Sequence, residues 1–209
     1  MIENSQQNEA VLSNQLEGLI QDLPDDHLSI EELIDRCGEE GLLLVSALLT
    51  LVFLIPVSIP GVSTVFGAVI LLIGISRLRG RALWLPARVK RYDVPVKKLR
   101  PALSRGLKWV HRLEKISRPL RLSSLAEGRV IDAINNTAFI LAALLLMSPF
   151  GFVPFSNTLP GIALLFYSIG LAQRDGVAVL FGHLTNLATL IYFGILISGG
   201  GYALKQLLS

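Results

Sequence analysis

Groups able to do acid–base, nucleophilic or metal chemistry are few in this chain, and they are scattered. His27, His111 and His183 lie far apart, Cys37 is the single cysteine, and no two carboxylates stand together in the apolar stretches. Metal ligation needs several N, O or S donors at matched spacing, and general acid–base catalysis needs titratable groups within reach of each other. Neither pattern is written here, so no enzyme, no cofactor and no metal is expected. What recurs is a different set: short polar side chains beside Pro and Gly, set inside apolar sequence. Ser58, Pro60, Gly61, Ser63 and Thr64 form the first group; Ser156, Asn157, Thr158, Pro160 and Gly161 form the second. Proline removes a backbone donor and biases the preceding residue away from helix. Hydroxyls and amides at such points either repair broken helix ends or bind an ion or small solute. Arg174 and Asp175 are the charged pair to watch beside the second group, with a structural ion pair at a membrane edge as the plainer role.

The elements that position these residues are two similar apolar units. Pro56 and Ser58 correspond to Pro154 and Ser156, Pro60–Gly61 to Pro160–Gly161, Gly74 to Gly170, and Gly80 to Gly176. Each unit is an apolar stretch, a Pro-rich break, and a second apolar stretch ending in Gly. The stretches 42–55 and 61–75 would rise only about 21 to 23 Å as helix, short of the roughly 30 Å hydrocarbon core. The reading is a re-entrant hairpin in each half, with the breaks facing inward because lipid offers backbone no partner. If the two halves insert from opposite sides, their turns meet near the midplane, as in transporter folds made of inverted repeats. The segment 177–197 is a spanning candidate whose His183, Thr185, Asn186 and Thr189 suit helix-to-helix contacts, with Gly199–Gly201 ending it.

Charge fixes orientation. Sixteen of the nineteen Lys and Arg residues lie between Arg77 and Arg129, and eleven of the sixteen acids precede Leu42. Lys and Arg accumulate in loops that are not translocated, so the middle of the chain is expected in the cytoplasm. The resulting division is 1–41, an acidic amphipathic arm; 42–76, the first broken-helix unit; 77–130, a basic interfacial segment; and 131–209, the second unit with a C-terminal transmembrane helix. Residues 1–26 carry no apolar core of a signal peptide, so insertion is left to the internal segments. In the arm, Leu12, Leu16, Leu19 and Leu23 share a helix face that Pro24 ends, and Ser29 with Glu32 has the spacing of a capping box before a helix reaching Gly38. In the middle, Pro101 is read as a helix start, followed by an apolar stripe through Leu103 and Leu107. Trp84, Arg105, Lys108, Arg112, Lys115 and Arg118 are the expected contacts with anionic headgroups or a polyanion. Nucleic acid is not an expected partner for a segment tethered between membrane elements. The fold class is therefore an all-α integral membrane protein.

Several of these residues also carry a family likeness. The order Pro60–Gly61, GRALWLP from Gly80, LEKISRPLRL from Leu113, Asn157, Pro160 and RDG from Arg174 resembles the bacterial ExoD family of exopolysaccharide synthesis proteins. Arg77 stands where that family tends to have Gln, and Gly161 where it tends to have Ala. The resemblance implies a multi-pass inner-membrane protein linked to exopolysaccharide production, in some bacteria to tolerance of alkaline conditions, with no reaction assigned. Combined with the broken helices it points to a transporter or channel-like protein for an ion or small solute. The alternative is an assembly or regulatory component that holds polysaccharide synthesis proteins through its arm and basic segment. A homodimer is expected, because four short hairpins supply few walls.

Overall fold

The computed structural model describes residues 11–24, 26–54, 61–84, 90–91, 93–114, 121–126, 128–150 and 153–208. The arm folds as its pattern dictates. Helix α1 (Val11–Gln21) stops short of Pro24 and buries Leu16. Helix α2 (Ile30–Leu51) starts on the capping box: Glu32 N donates to Ser29 Oγ at 3.2 Å, and Ser29 N donates to Glu32 Oε2 at 3.3 Å. Gly38, at φ 62° and ψ −171°, breaks α2 internally and separates its polar start from its apolar remainder.

Two short strands depart from the all-α expectation. Strand β1 (His27–Ser29) pairs antiparallel with β2 (Asp93–Pro95), Leu28 opposite Val94. Leu28 is fully buried, and Val96 N donates to Asp26 O at 3.1 Å, so the ribbon satisfies backbone where arm and basic segment meet. Helix α4 (Val96–Glu114) follows β2 directly and contains Pro101 instead of starting there. Proline's fixed φ suits a helix, and one lost ladder bond is tolerable in a helix packed on α1.

The apolar units give helix α3 (Val62–Arg79), helix α5 (Arg129–Leu146), helix α6 (Thr158–Gln173) and helix α7 (Gly176–Leu208). The apolar units are interrupted near their prolines: α2 ends in a 3-10 turn at Val52–Leu54, and α5 and α6 are separated by 147–157, but Pro160–Gly161, expected in the second break, lies in the first turn of α6, where proline lacks no intrahelical bond. Among the described residues, three helices are long and apolar enough to cross a membrane: Val62–Arg79, Arg129–Leu146 and Gly176–Gly199. Helix α3 exceeds its expected length because it runs past Ile75 to Arg79, where Gly80 closes it at φ 58°. At 18 residues it rises about 27 Å. Helix α7 does not end at Gly199–Gly201 but continues to Leu208; in a bilayer the helix is the only local partner for those backbone groups.

The two hairpins are not inverted. Gly67 of α3 lies on Met147, Gly74 on Phe139 and Ile140, and Arg77 bonds Asn136, so α3 runs antiparallel to α5. Gly161, early in α6, sits against Phe53, whereas Glu40 shares a cleft with Leu171 and Arg174, so α2 runs antiparallel to α6. Both hairpins therefore begin and end at one basic end and turn at the other. The reason lies in the join: α4, the long helix of the central segment, is basic and amphipathic, and the chain enters the second hairpin from the side on which it left the first.

Helix α6 is the centre, packed by α2, α5 and α7, with twelve of its sixteen residues buried. Apolar burial from water does not drive helix pairing within lipid; close packing does. Glycine marks those approaches: Gly170 of α6 lies in contact with Val179 of α7, and Gly182 of α7 seats the Tyr167 ring of α6. The outer faces of α5 and α7 carry exposed Ile134, Leu144, Phe181, Leu184, Leu187 and Ile191, an apolar surface suited to lipid.

Candidate functional site

The residues expected to form one polar site fall at two ends of the molecule. Ser58 and Pro60 lie outside the described residues. Gly61 starts α3 in the left-handed region at φ 84°, with Ser63 buried in the first turn. Ser156 donates its hydroxyl to Phe150 O at 2.7 Å, which is repair of the break. Asn157 occupies the N-cap position of α6 without a side-chain cap bond, and Pro160 and Gly161 are buried in the first turn. Arg174 and Asp175 stand at the other end of α6, about 24 Å away for sixteen helical residues.

Asp175 is a structural residue. Its side chain is completely buried, and Oδ1 accepts from Val177 N at 3.0 Å and Ala178 N at 3.4 Å, capping α7. Arg121 Nε approaches the same oxygen at 3.5 Å. Arg174 closes α6 at φ 54°, and Gly176 N donates to Arg121 O at 2.7 Å. A Cβ on Gly176 would collide with the Leu122 carbonyl, so the Arg-Asp-Gly sequence is the chemistry of a corner.

Of the expected headgroup contacts, Trp84 is 72 % exposed, and Arg105 and Lys108 are exposed on α4. Arg112 is on α4 with its side chain outside the description, and Lys115 and Arg118 are outside the described residues.

The structure brings together residues that the sequence reading did not group. At the basic end, Glu40 of α2, Arg77 of α3, Asp132 and Asn136 of α5 and Arg174 after α6 line one polar cleft of about 530 Å³. Asn136 organises it: its Nδ2 donates to Asp132 O at 2.8 Å, and its Oδ1 accepts from Arg77 Nε at 3.3 Å. Two cations and two anions from four separate segments can bind a small charged solute by opposed contacts. Ile70, Phe139 and Leu146 are fully buried together in the core of the bundle. Arg77 stood out in the sequence only as a departure from a family pattern. Nothing in the spacing of Glu40, Asp132 and Asn136 joins them to it.

A second polar cluster lies within the bundle. Tyr167 Oη and His183 Nδ1 are 2.9 Å apart, and His183 Nε2 and Asn135 Oδ1 are also 2.9 Å apart. The Leu125 carbonyl can only accept, so Asn135, whose Nδ2 donates to it at 2.9 Å, must present Oδ1 to the imidazole. His183 therefore carries a hydrogen on Nε2, and in the neutral ring Nδ1 accepts from the Tyr167 hydroxyl. Asn186 Nδ2 donates to Ala138 O at 3.0 Å. His183 and Asn186 thus do tie helices together, as their place in an apolar helix predicts, whereas Thr185 and Thr189 bond within their own helix.

Comparison with known proteins decides the family. A family model described as "Exopolysaccharide synthesis, ExoD" matches residues 12–195. The chain belongs to the ExoD family. It is 45% identical over 192 residues to "Protein ExoD" of Rhizobium meliloti, covering 92% of this chain and 78% of that protein. It is also 29% identical over 162 residues to "Uncharacterized protein slr1875" of Synechocystis sp., covering 75% of this chain and 74% of that protein. No solved structure matches. Several described residues of the ExoD likeness sit at chain corners: Gly80 closes α3, Asn157 precedes α6, and Arg174–Asp175–Gly176 turns α6 into α7. Family and relative support involvement in exopolysaccharide synthesis, and three membrane-length helices fit a membrane protein.

Proposed function

We propose that the protein is a multi-pass inner-membrane component of exopolysaccharide synthesis that binds a small charged solute in the cleft at its basic end, without making or breaking covalent bonds. The observation carrying this reading is the convergence of Glu40, Arg77, Asp132 and Arg174 from four segments onto one polar cleft. Charges placed at the inner ends of membrane helices are costly to keep unless they serve binding or pairing. Positive-inside orientation puts this cleft on the cytoplasmic side, where precursors of a secreted polymer are made.

Transport of an ion or small solute is the finer form of the same reading. The cleft is then the cytoplasmic vestibule, and the buried core that includes Ile70, Phe139 and Leu146 closes the path through the bundle. In this form the short arms Glu40–Leu54 and Thr158–Gln173, which rise only about 22 and 24 Å, are re-entrant and pack against the longer α3 and α5. Helix α7 supports this: Tyr192 bonds Pro154 O at the turn end, and α7 runs about 24 Å further. A homodimer completes the walls, and crosslinking in bilayers that gave only monomer would remove that part. The basic face of α4, with Arg105 and Lys108, rests on anionic headgroups in this reading.

Arg77→Gln and Asp132→Asn test the cleft. Each is expected to lower polysaccharide output of a complemented deletion strain roughly tenfold, the weight of one charge-assisted contact, at unchanged protein level. Full output from both variants would end the binding reading. Proteoliposomes with potassium, inorganic phosphate or a hexose phosphate separate binding with flux from binding alone. The second reading, an assembly or regulatory component, is favoured by the β1–β2 ribbon and the Lys90–Glu31 ion pair at 2.9 Å, which dock the acidic arm on the basic segment. Co-purification of a synthesis protein that is lost on removing residues 1–29 would support it.

A further inference from the structure

A second cavity shares no lining residue with the charged cleft. It has a volume of about 420 Å³ between α1, α2 and α4. Its walls are Leu16 and Leu19 from α1, Leu44, Val45 and Leu48 from α2, and Leu103 from α4. Gly18 opens the α1 side: a Cβ built there meets no atom within 4 Å. The polar lining is confined to Asp22 and Arg36. Arg36 donates to the main-chain oxygen of Asp22, so the cation and the residue that carries the acid both belong to the cavity lining.

We propose that this cavity holds an acyl chain of a zwitterionic phospholipid from the surrounding bilayer, with the phosphate on Arg36 and a primary ammonium on Asp22. Position argues for a bilayer source. The α2 wall is the first part of the apolar stretch, at the end of the bundle where the basic segment lies, which is headgroup depth for a membrane helix. An apolar space of this size forfeits dispersion contacts unless something apolar fills it, and its volume falls within the range of real ligand sites. Charge selects the head. A purely anionic head would satisfy Arg36 and confront Asp22 with a like charge. A choline head offers Asp22 no N–H donor. A phosphoethanolamine head supplies an anion and a hydrogen-bonding cation together. The amphipathic arm then becomes the wall of a lipid site, a role separate from the charged cleft and independent of it.

The test uses the full chain in nanodiscs doped with a diazirine-acyl phosphatidylethanolamine, phosphatidylglycerol or phosphatidylcholine, followed by peptide mapping. The phosphatidylethanolamine probe is expected to label residues 16–19 and 44–48 roughly tenfold above the other two, the weight of one charge-assisted contact. Gly18→Phe, which places a ring in the open space on α1, should remove that labelling while leaving labelling of α7 unchanged. Val45→Phe fills the cavity from α2 and should do the same, so a folding failure of one variant leaves the other decisive. Asp22→Asn should erase the preference over phosphatidylcholine. Equal labelling by all three probes, or labelling indifferent to both Phe variants, would overturn the proposal.

Discussion

The first hairpin and the second carry the same punctuation and use it differently. Gly61 opens α3 in a left-handed conformation that few L-residues tolerate, while its counterpart Gly161 is helical and lets α6 settle on Phe53. Gly80 closes α3 facing open space; its counterpart Gly176 is pressed onto the Leu122 carbonyl, and the left-handed role passes to Arg174. Only Gly74 and Gly170 keep one role, close helix contact. Six of eighteen α3 residues are buried, against twelve of sixteen in α6. The lesson is that Pro and Gly mark where a membrane helix must break, whereas neighbours decide whether the break is a surface cap or a core joint.

Five measurements separate the two hairpins. The largest effect is expected at the corner: Gly176→Ala meets rigid backbone and should abolish monodisperse protein, while Gly80→Ala, strained only by its φ, should cost about 1 kcal/mol in a thermal melt. Equal behaviour would mean the two ends are alike. Next, Asp175→Ala removes a helix cap and one partner of a half-exposed ion pair, together about 2 kcal/mol. Third, Gly170→Ala should destabilise more than Gly74→Ala. Val179 N would lie 2.8 Å from the new Cβ in the first case, whereas only side chains of Phe139 and Ile140 meet it in the second. The smallest stability change is Ser156→Ala, about 1 kcal/mol for one buried hydrogen bond. Ser156→Cys and Ser58→Cys, in a Cys37-free background, should react from the same face of the bilayer; reaction from opposite faces would restore inversion.

Local chemistry was legible in the chain. The Ser29–Glu32 capping box, the end of α1 before Pro24, the two breaks and the helix-tying role of His183 follow from side chains acting on backbone or partners close by. The polar site was misplaced because Ser156 and Asn157 belong to one end of a helix and Arg174 to the other, and sequence adjacency to a break says nothing about what the far end meets. The β1–β2 ribbon was invisible, since three residues on each strand are too few to show alternation.

Residue type and order were enough for the family, the apolar segments, the basic middle and the breaks between helices, all of which depend on composition and on the conformations open to Pro and Gly; the full lengths of α3 and α7 were not among them. Tertiary structure alone decided that the hairpins run the same way, that α6 is the centre, and that Glu40, Arg77, Asp132 and Arg174 meet. Such convergence is set by which helix faces pack together, and residues drawn from four segments leave no periodicity along the chain to reveal it.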